Sequence, residues 1–164
     1  MKRHKFIVPV IAAYGLVLVL PGTAWCQSLK DQLLGNWELV SISEDYGNGK
    51  INKSPFGTSL KGSYDFDGNG RVMFTAIGDD LPPNPARKPQ ESARLVVAWF
   101  GTYTVDDAAK TYTYTAERST IPAFDGKPRT VAVTIAGDEM TIKPAPVTGP
   151  EGTFTPILLL KRAH

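Results

Sequence analysis

Apolar and polar residues alternate with a period of two along most of the chain beyond residue 35. Residues 36–43 (NWELVSIS) alternate moderately, 61–66 (KGSYDF) put Gly62, Tyr64 and Phe66 on one face, and 71–77 do the same with Val72, Phe74 and Ala76. Residues 98–105, 111–116, 130–135, 139–143 and 155–162 continue the pattern, so eight strands are predicted. Asp67-Gly68-Asn69-Gly70, Asp106-Asp107 and Gly137-Asp138 punctuate them with hairpin chemistry. Before the first strand, residues 29–34 predict a short helical turn stopped by Gly35. Three connections break the meander: 78–89, with four prolines, expected as a long exposed loop; 119–128; and 144–152. Pro89-Gln90-Glu91 opens a second expected helical turn running through Arg94 and Leu95. The fold class is all-β, an eight-stranded antiparallel up-and-down barrel with a short N-terminal helical turn.

The period-two pattern does not extend to the start of the chain. Lys2, Arg3 and Lys5 precede a 15-residue apolar run, 6–20, and Pro21-Gly22 breaks that run ahead of Ala24-Trp25-Cys26. This is the layout of a secretory signal, and the run is too short to span a bilayer. The expected domains are therefore a signal peptide, 1–26, and one barrel domain, 27–164, located in the periplasm or secreted, with no stable membrane insertion after cleavage. Bulky Trp25 before Cys26 argues against acylation there.

Removing the leader changes the chemistry. The whole chain carries 18 basic and 16 acidic residues; without the leader's three basic residues the balance is 15 to 16, a net charge of −1. With no basic cluster left, nucleic acid is not an expected partner. The domain then has no cysteine, and its histidine is His164. That excludes disulfides, cysteine nucleophiles and thiolate zinc sites, and it leaves little for a serine–histidine arrangement. Residues 65–70 (DFDGNG) imitate the start of a calcium loop, but position 12 is Ala76 where a bidentate Glu belongs, so a hairpin turn is expected. No metal and no cofactor are expected.

Gly35-Asn36-Trp37 opens the first strand, and Arg162 ends the last. In a closed barrel these strands are neighbours, so Arg162 can lie over the Trp37 indole and seal one end. This G-x-W and terminal-Arg arrangement resembles that of lipocalins. The ordered segments LLGNWELVS, PFG (55–57), YDFDGNGRV, WFGTYTVDD, IPAFDGKPR and LLLKR, from 33 to 162, resemble a bacterial lipocalin-like domain family. The resemblance implies a lipocalin-like barrel. Related sequences tend to carry histidine where this chain has Tyr112-Thr113-Tyr114, so no histidine chemistry carries over.

Tyr64, Phe74, Trp99, Tyr103, Tyr112 and Tyr114 share the alternating faces that could line one lumen, with Gly35, Trp37 and Arg162 closing the barrel. Arg71, Arg94, Arg118 and Arg129 are candidates for a carboxylate clamp at the mouth. The leading expectation is an exported protein that binds a small hydrophobic or amphipathic ligand in the lumen. One alternative is an isomerase, cyclase or hydratase using a Tyr phenol, Glu38 or Glu117 as acid or base. Another is a periplasmic interaction module with a packed lumen. Oligomeric state and ligand identity are not encoded in these patterns.

Overall fold

The computed structural model describes residues 27–53, 56–81, 85–86 and 93–164. The leader and the turn expected at Pro89-Gln90-Glu91 lie outside these residues. Among the described residues, no helix is long and apolar enough to cross a membrane.

In chain order the elements are α1 (Leu29–Leu33), β1 (Gly35–Asp45), β2 (Ile51–Lys53), β3 (Lys61–Phe66), β4 (Arg71–Asp80), β5 (Arg94–Asp106) and β6 (Thr111–Ser119). A 3-10 turn (Pro122–Phe124) leads into β7 (Pro128–Ala136), β8 (Glu139–Lys143), β9 (Val147–Gly149) and β10 (Gly152–Arg162). Eight of the strands form a closed antiparallel barrel in the order β1-β3-β4-β5-β6-β7-β8-β10, with β10 pairing back onto β1. The short β2 and β9 extend β1 and β10 at one end.

Local chemistry sets each boundary. Ser28 caps α1 by accepting the Asp31 N–H at 3.1 Å, and Leu29 and Leu33, one turn apart, are buried against the barrel. Gly35 ends the helix with φ +106°, a conformation that glycine adopts without steric cost. The backbone N–H of Leu29 donates to the Asp107 carboxylate, which pins α1 to the β5–β6 turn. Between β3 and β4 the Asp67 carboxylate accepts the N–H groups of Asn69 at 2.9 Å and Arg71 at 2.7 Å. That carboxylate therefore organises a hairpin, in agreement with the turn expected from the sequence.

Inward positions on neighbouring strands alternate large and small residues. Gly62 pairs with Ala76, and Gly101 pairs with Ala116. A Cβ on Gly62 would lie 2.0 Å from the Thr75 carbonyl oxygen, and one on Gly101 would lie 2.0 Å from that of Thr115. The strands come this close because neither residue has a side chain, and the space saved inside the wall is taken by the aromatic rings of adjacent positions.

Two expectations are corrected. Gly78, Asp79 and Asp80 belong to β4, not to an exposed loop, and Gly78 is buried. The 56–60 segment folds onto them: Asp79 N–H donates to the Phe56 carbonyl at 2.9 Å, and the Asp79 carboxylate accepts the N–H groups of Thr58 and Ser59 at 2.8 and 2.7 Å. Those donors hold the Asp79 carboxyl below the usual carboxylate range. Arg94 and Leu95 lie in β5, not in a helical turn, because Arg94 pairs with Asp80 across the ladder and the Leu81 N–H donates to the Ala93 carbonyl at 2.7 Å. Tertiary pairing overrides the local helix signal here.

Candidate functional site

The strand directions give the barrel two unlike ends. At one end are α1, the start of β1, the end of β10 and the tight turns after β3, β5 and β7. Trp37 is fully buried there and donates its Nε1–H to the Leu33 carbonyl at 2.8 Å. The Arg162 guanidinium lies 4.1 Å from the Trp37 ring and donates to the carbonyls of Leu34 at 3.0 Å and Gln32 at 2.9 Å. These carbonyls belong to the end of α1, where no further helical turn exists to bond them. One side chain thus satisfies the helix end, covers the indole and joins β10 to β1. Gly35, Trp37 and Arg162 meet at this closed end.

Above the clasp, the aromatic side chains of β3 to β6 fill the barrel. Tyr64, Phe74, Trp99, Tyr103, Tyr112 and Tyr114 are all buried and inward, and Phe66 joins them. Trp99 stacks on Tyr114 with ring centroids 4.0 Å apart, Tyr64 stacks on Phe66 at 5.1 Å, and Phe66 meets Tyr103 and Tyr112 edge-on at 5.1 and 5.3 Å. The six residues nominated from the sequence are therefore brought together, but as a packed floor whose rings contact one another. Tyr112 donates its hydroxyl to that of Tyr64 at 2.8 Å, and Tyr103 donates to the Asp67 carbonyl at 2.9 Å. Burial pushes the Tyr64 and Tyr112 phenols far up, so both stay protonated, with Tyr112 the donor and Tyr64 the acceptor of the pair.

Toward the other end the inward residues become half-exposed. Ile42, Leu60, Leu95, Val97 and Phe124 pack against the core from this side without being covered. A one-residue bulge at Val40 turns Ile42 and Glu44 inward, opposite Leu158 and Pro156. Tyr46 donates its hydroxyl to Glu44 at 3.1 Å on the rim, with Lys50 4.7 Å from its ring and paired with Glu151 at 2.9 Å. Partial desolvation, together with the Glu44 acceptor, raises the Tyr46 phenol.

The four candidate arginines divide clearly. Arg71 pairs with Glu117, Arg94 with Asp80 at 2.8 Å and Arg118 with Asp125 at 3.1 Å. Arg129 is the cross-strand partner of Tyr114 and shares its inward face; no carboxylate is paired with it among the described residues. Of the proposed acid–base carboxylates, Glu38 is on the exposed outer face, and Glu117 is held below the usual range by its hydrogen bonds to Arg71. Neither reaches a lumenal tyrosine. On the outer wall of β4 and β5, Met73 and Phe100 are exposed and line two open depressions, and Ile77 is exposed further along β4. Among the described residues, no cluster of three or more metal-ligating side chains occurs.

Sequence reasoning missed Phe66 as a floor residue, although its parity with Tyr64 was visible, and it missed Glu44, Tyr46 and Phe124 at the mouth. The bulge at Val40 is the reason for Glu44: simple alternation from Trp37 and Leu39 would have sent it outward.

No curated protein matches the chain. Among solved structures, an uncharacterized protein from Bacteroides eggerthii DSM 20697 is 19% identical, covers 79% of this chain and 98% of its own, and superposes with a TM-score of 0.41. A family model described as a lipocalin-like domain matches residues 34–159, from the clasp to the last strand. The protein belongs to this lipocalin-like domain family.

Proposed function

We propose that this chain is an exported carrier that holds one small hydrophobic or amphipathic molecule at the open end of its barrel, resting on the aromatic floor. The observation that carries this reading is the collar of half-exposed apolar side chains, Ile42, Leu60, Leu95, Val97 and Phe124, on inward positions opposite the end that α1 plugs. Leaving apolar surface partly wet forgoes roughly 25 cal/mol per Å², which an apolar occupant would recover. Trp99, Phe74 and Tyr114 would form the ligand-facing top of the floor, and Tyr64, Tyr103 and Tyr112 would stiffen it from below. Export is supported by the basic, then apolar, leader.

Calorimetric titration of the purified domain with decanol tests the reading. Saturable binding at one site is expected, and Val97→Trp, which narrows the mouth, should weaken it at least tenfold while the thermal unfolding curve shows a folded protein. Absence of saturable binding of both decanol and its carboxylate analogue decanoate by the wild-type domain would overturn the carrier reading. Acid–base catalysis has one observation in its favour, the Tyr46–Glu44 hydrogen bond, but that pair stands on the wet rim beside Lys50 and Glu151.

A further inference from the structure

Arg129 is placed where a surface cation has no need to be. It begins the inward row of β7 that continues with the buried Val131 and Val133, and it faces Tyr114 across the β6–β7 ladder. Its guanidinium carbon lies 3.9 Å from the centre of the Phe124 ring, so the 3-10 turn covers one face of the planar group. Its Nη2 makes a long 3.5 Å hydrogen bond to the Ala123 carbonyl. Its Nε–H is buried and has no acceptor among the described residues. The Tyr114 hydroxyl beside it also makes no hydrogen bond to a described residue, and the Arg129 charge is felt there, lowering the phenol against the dominant upward push of burial.

A guanidinium has five N–H donors, and a buried donor left unmade is costly, more so when it belongs to a charged group. The other three clamp candidates, Arg71, Arg94 and Arg118, each hold a carboxylate. The neighbouring Asp125 has one oxygen on Arg118 and the other buried without a partner, and neither is paired with Arg129.

We propose, building on the carrier reading above, that the occupant is a single-chain amphiphile with a carboxylate head, and that Arg129 and the Tyr114 hydroxyl receive that head while the apolar tail lies in the collar. The planar fork of a guanidinium matches a carboxylate through two parallel hydrogen bonds. The single positive charge of Arg129 matches a singly charged head. Glu44, which is also inward at this end, disfavours a more highly charged head.

The test compares decanoate with decanol, which have the same chain length and differ in the head, by calorimetric titration at neutral pH. The wild-type domain should bind decanoate at least tenfold more tightly. Arg129→Gln should abolish that preference while leaving decanol affinity within about twofold, and Arg129→Lys should restore part of it. Arg118→Gln, which removes an arginine from the same end, should leave the preference intact. Equal affinity for the two ligands in the wild type, or a preference that survives Arg129→Gln, would overturn the carboxylate assignment and leave Arg129 as a support for the 3-10 turn. If decanol binds and decanoate does not, the head-group proposal fails while the carrier reading stands. If neither binds, both fail.

Discussion

At the scale of single residues, the hydroxyl pair in the floor sets a clear energetic problem. Tyr112 donates to Tyr64, so the second hydroxyl proton of the pair has no acceptor in that interaction. Removing one hydroxyl leaves the other without its partner in a dry site, whereas removing both leaves two rings of nearly the same shape and no stranded polar group. Tyr64→Phe and Tyr112→Phe should each cost about 1–2 kcal/mol, and the double variant should cost less than the sum. Urea denaturation of the four proteins in the cycle measures this coupling. Identification of these tyrosines as lumenal required only their parity in KGSYDF and TYTYTA. That their hydroxyls meet was not legible, because the contact joins residues 48 positions apart on strands that are not neighbours.

At the scale of elements, the strands were legible because one face of each is buried, so a period of two is enforced along its length. All eight barrel strands were expected near their observed positions. The short β2 and β9 carry too few residues to show a period, and they form by adding onto β1 and β10. Bulges were the other hidden feature. At Val40, and again between Ala116 and Arg118, an extra residue reverses parity, so Glu44 turns inward and Arg118 turns outward to pair with Asp125. Arg129, by contrast, continues the parity of Val131 and Val133, but it stands one residue before the strand expected at 130–135. The close strand crossings make a prediction at this scale. Gly101→Ala places a Cβ where the Thr115 carbonyl oxygen stands, so β5 and β6 must separate, at a cost of about 1–3 kcal/mol in thermal or urea unfolding. Gly126→Ala is a poor control because its φ is positive; Gly68→Ala, with open space around it and an ordinary φ, should cost far less.

At the scale of the whole molecule, the packed floor links stability to alkaline pH. The phenols of Tyr64, Tyr112, Tyr114 and Tyr103 are all raised above 10.0 in the folded state, chiefly by burial, whereas in the unfolded chain they titrate near that value. The folded state therefore holds protons that the unfolded state releases. Their contribution is fully present below pH about 10 and is lost as pH rises toward the folded values. In the folded domain, phenolate absorbance beyond that of the rim residue Tyr46 should accordingly rise in one cooperative step that coincides with loss of the folded circular dichroism signal. Gradual titration of all tyrosines within an intact fold would contradict the packed floor.

The clasp at the plugged end has a kinetic consequence. Arg162 reaches the Leu34 carbonyl across 128 positions of sequence, and the β1–β10 pairing that it completes joins the first barrel strand to the last. A chain emerging from the ribosome, or threaded through a pore, delivers β1 first and must hold its unpaired edge until β10 arrives. Every earlier intermediate is an open sheet with two adhesive margins, and ring closure over so long a loop is slow. The same contact that makes the finished barrel edgeless therefore leaves the unfinished chain as the form with open edges and the greatest exposure to aggregation.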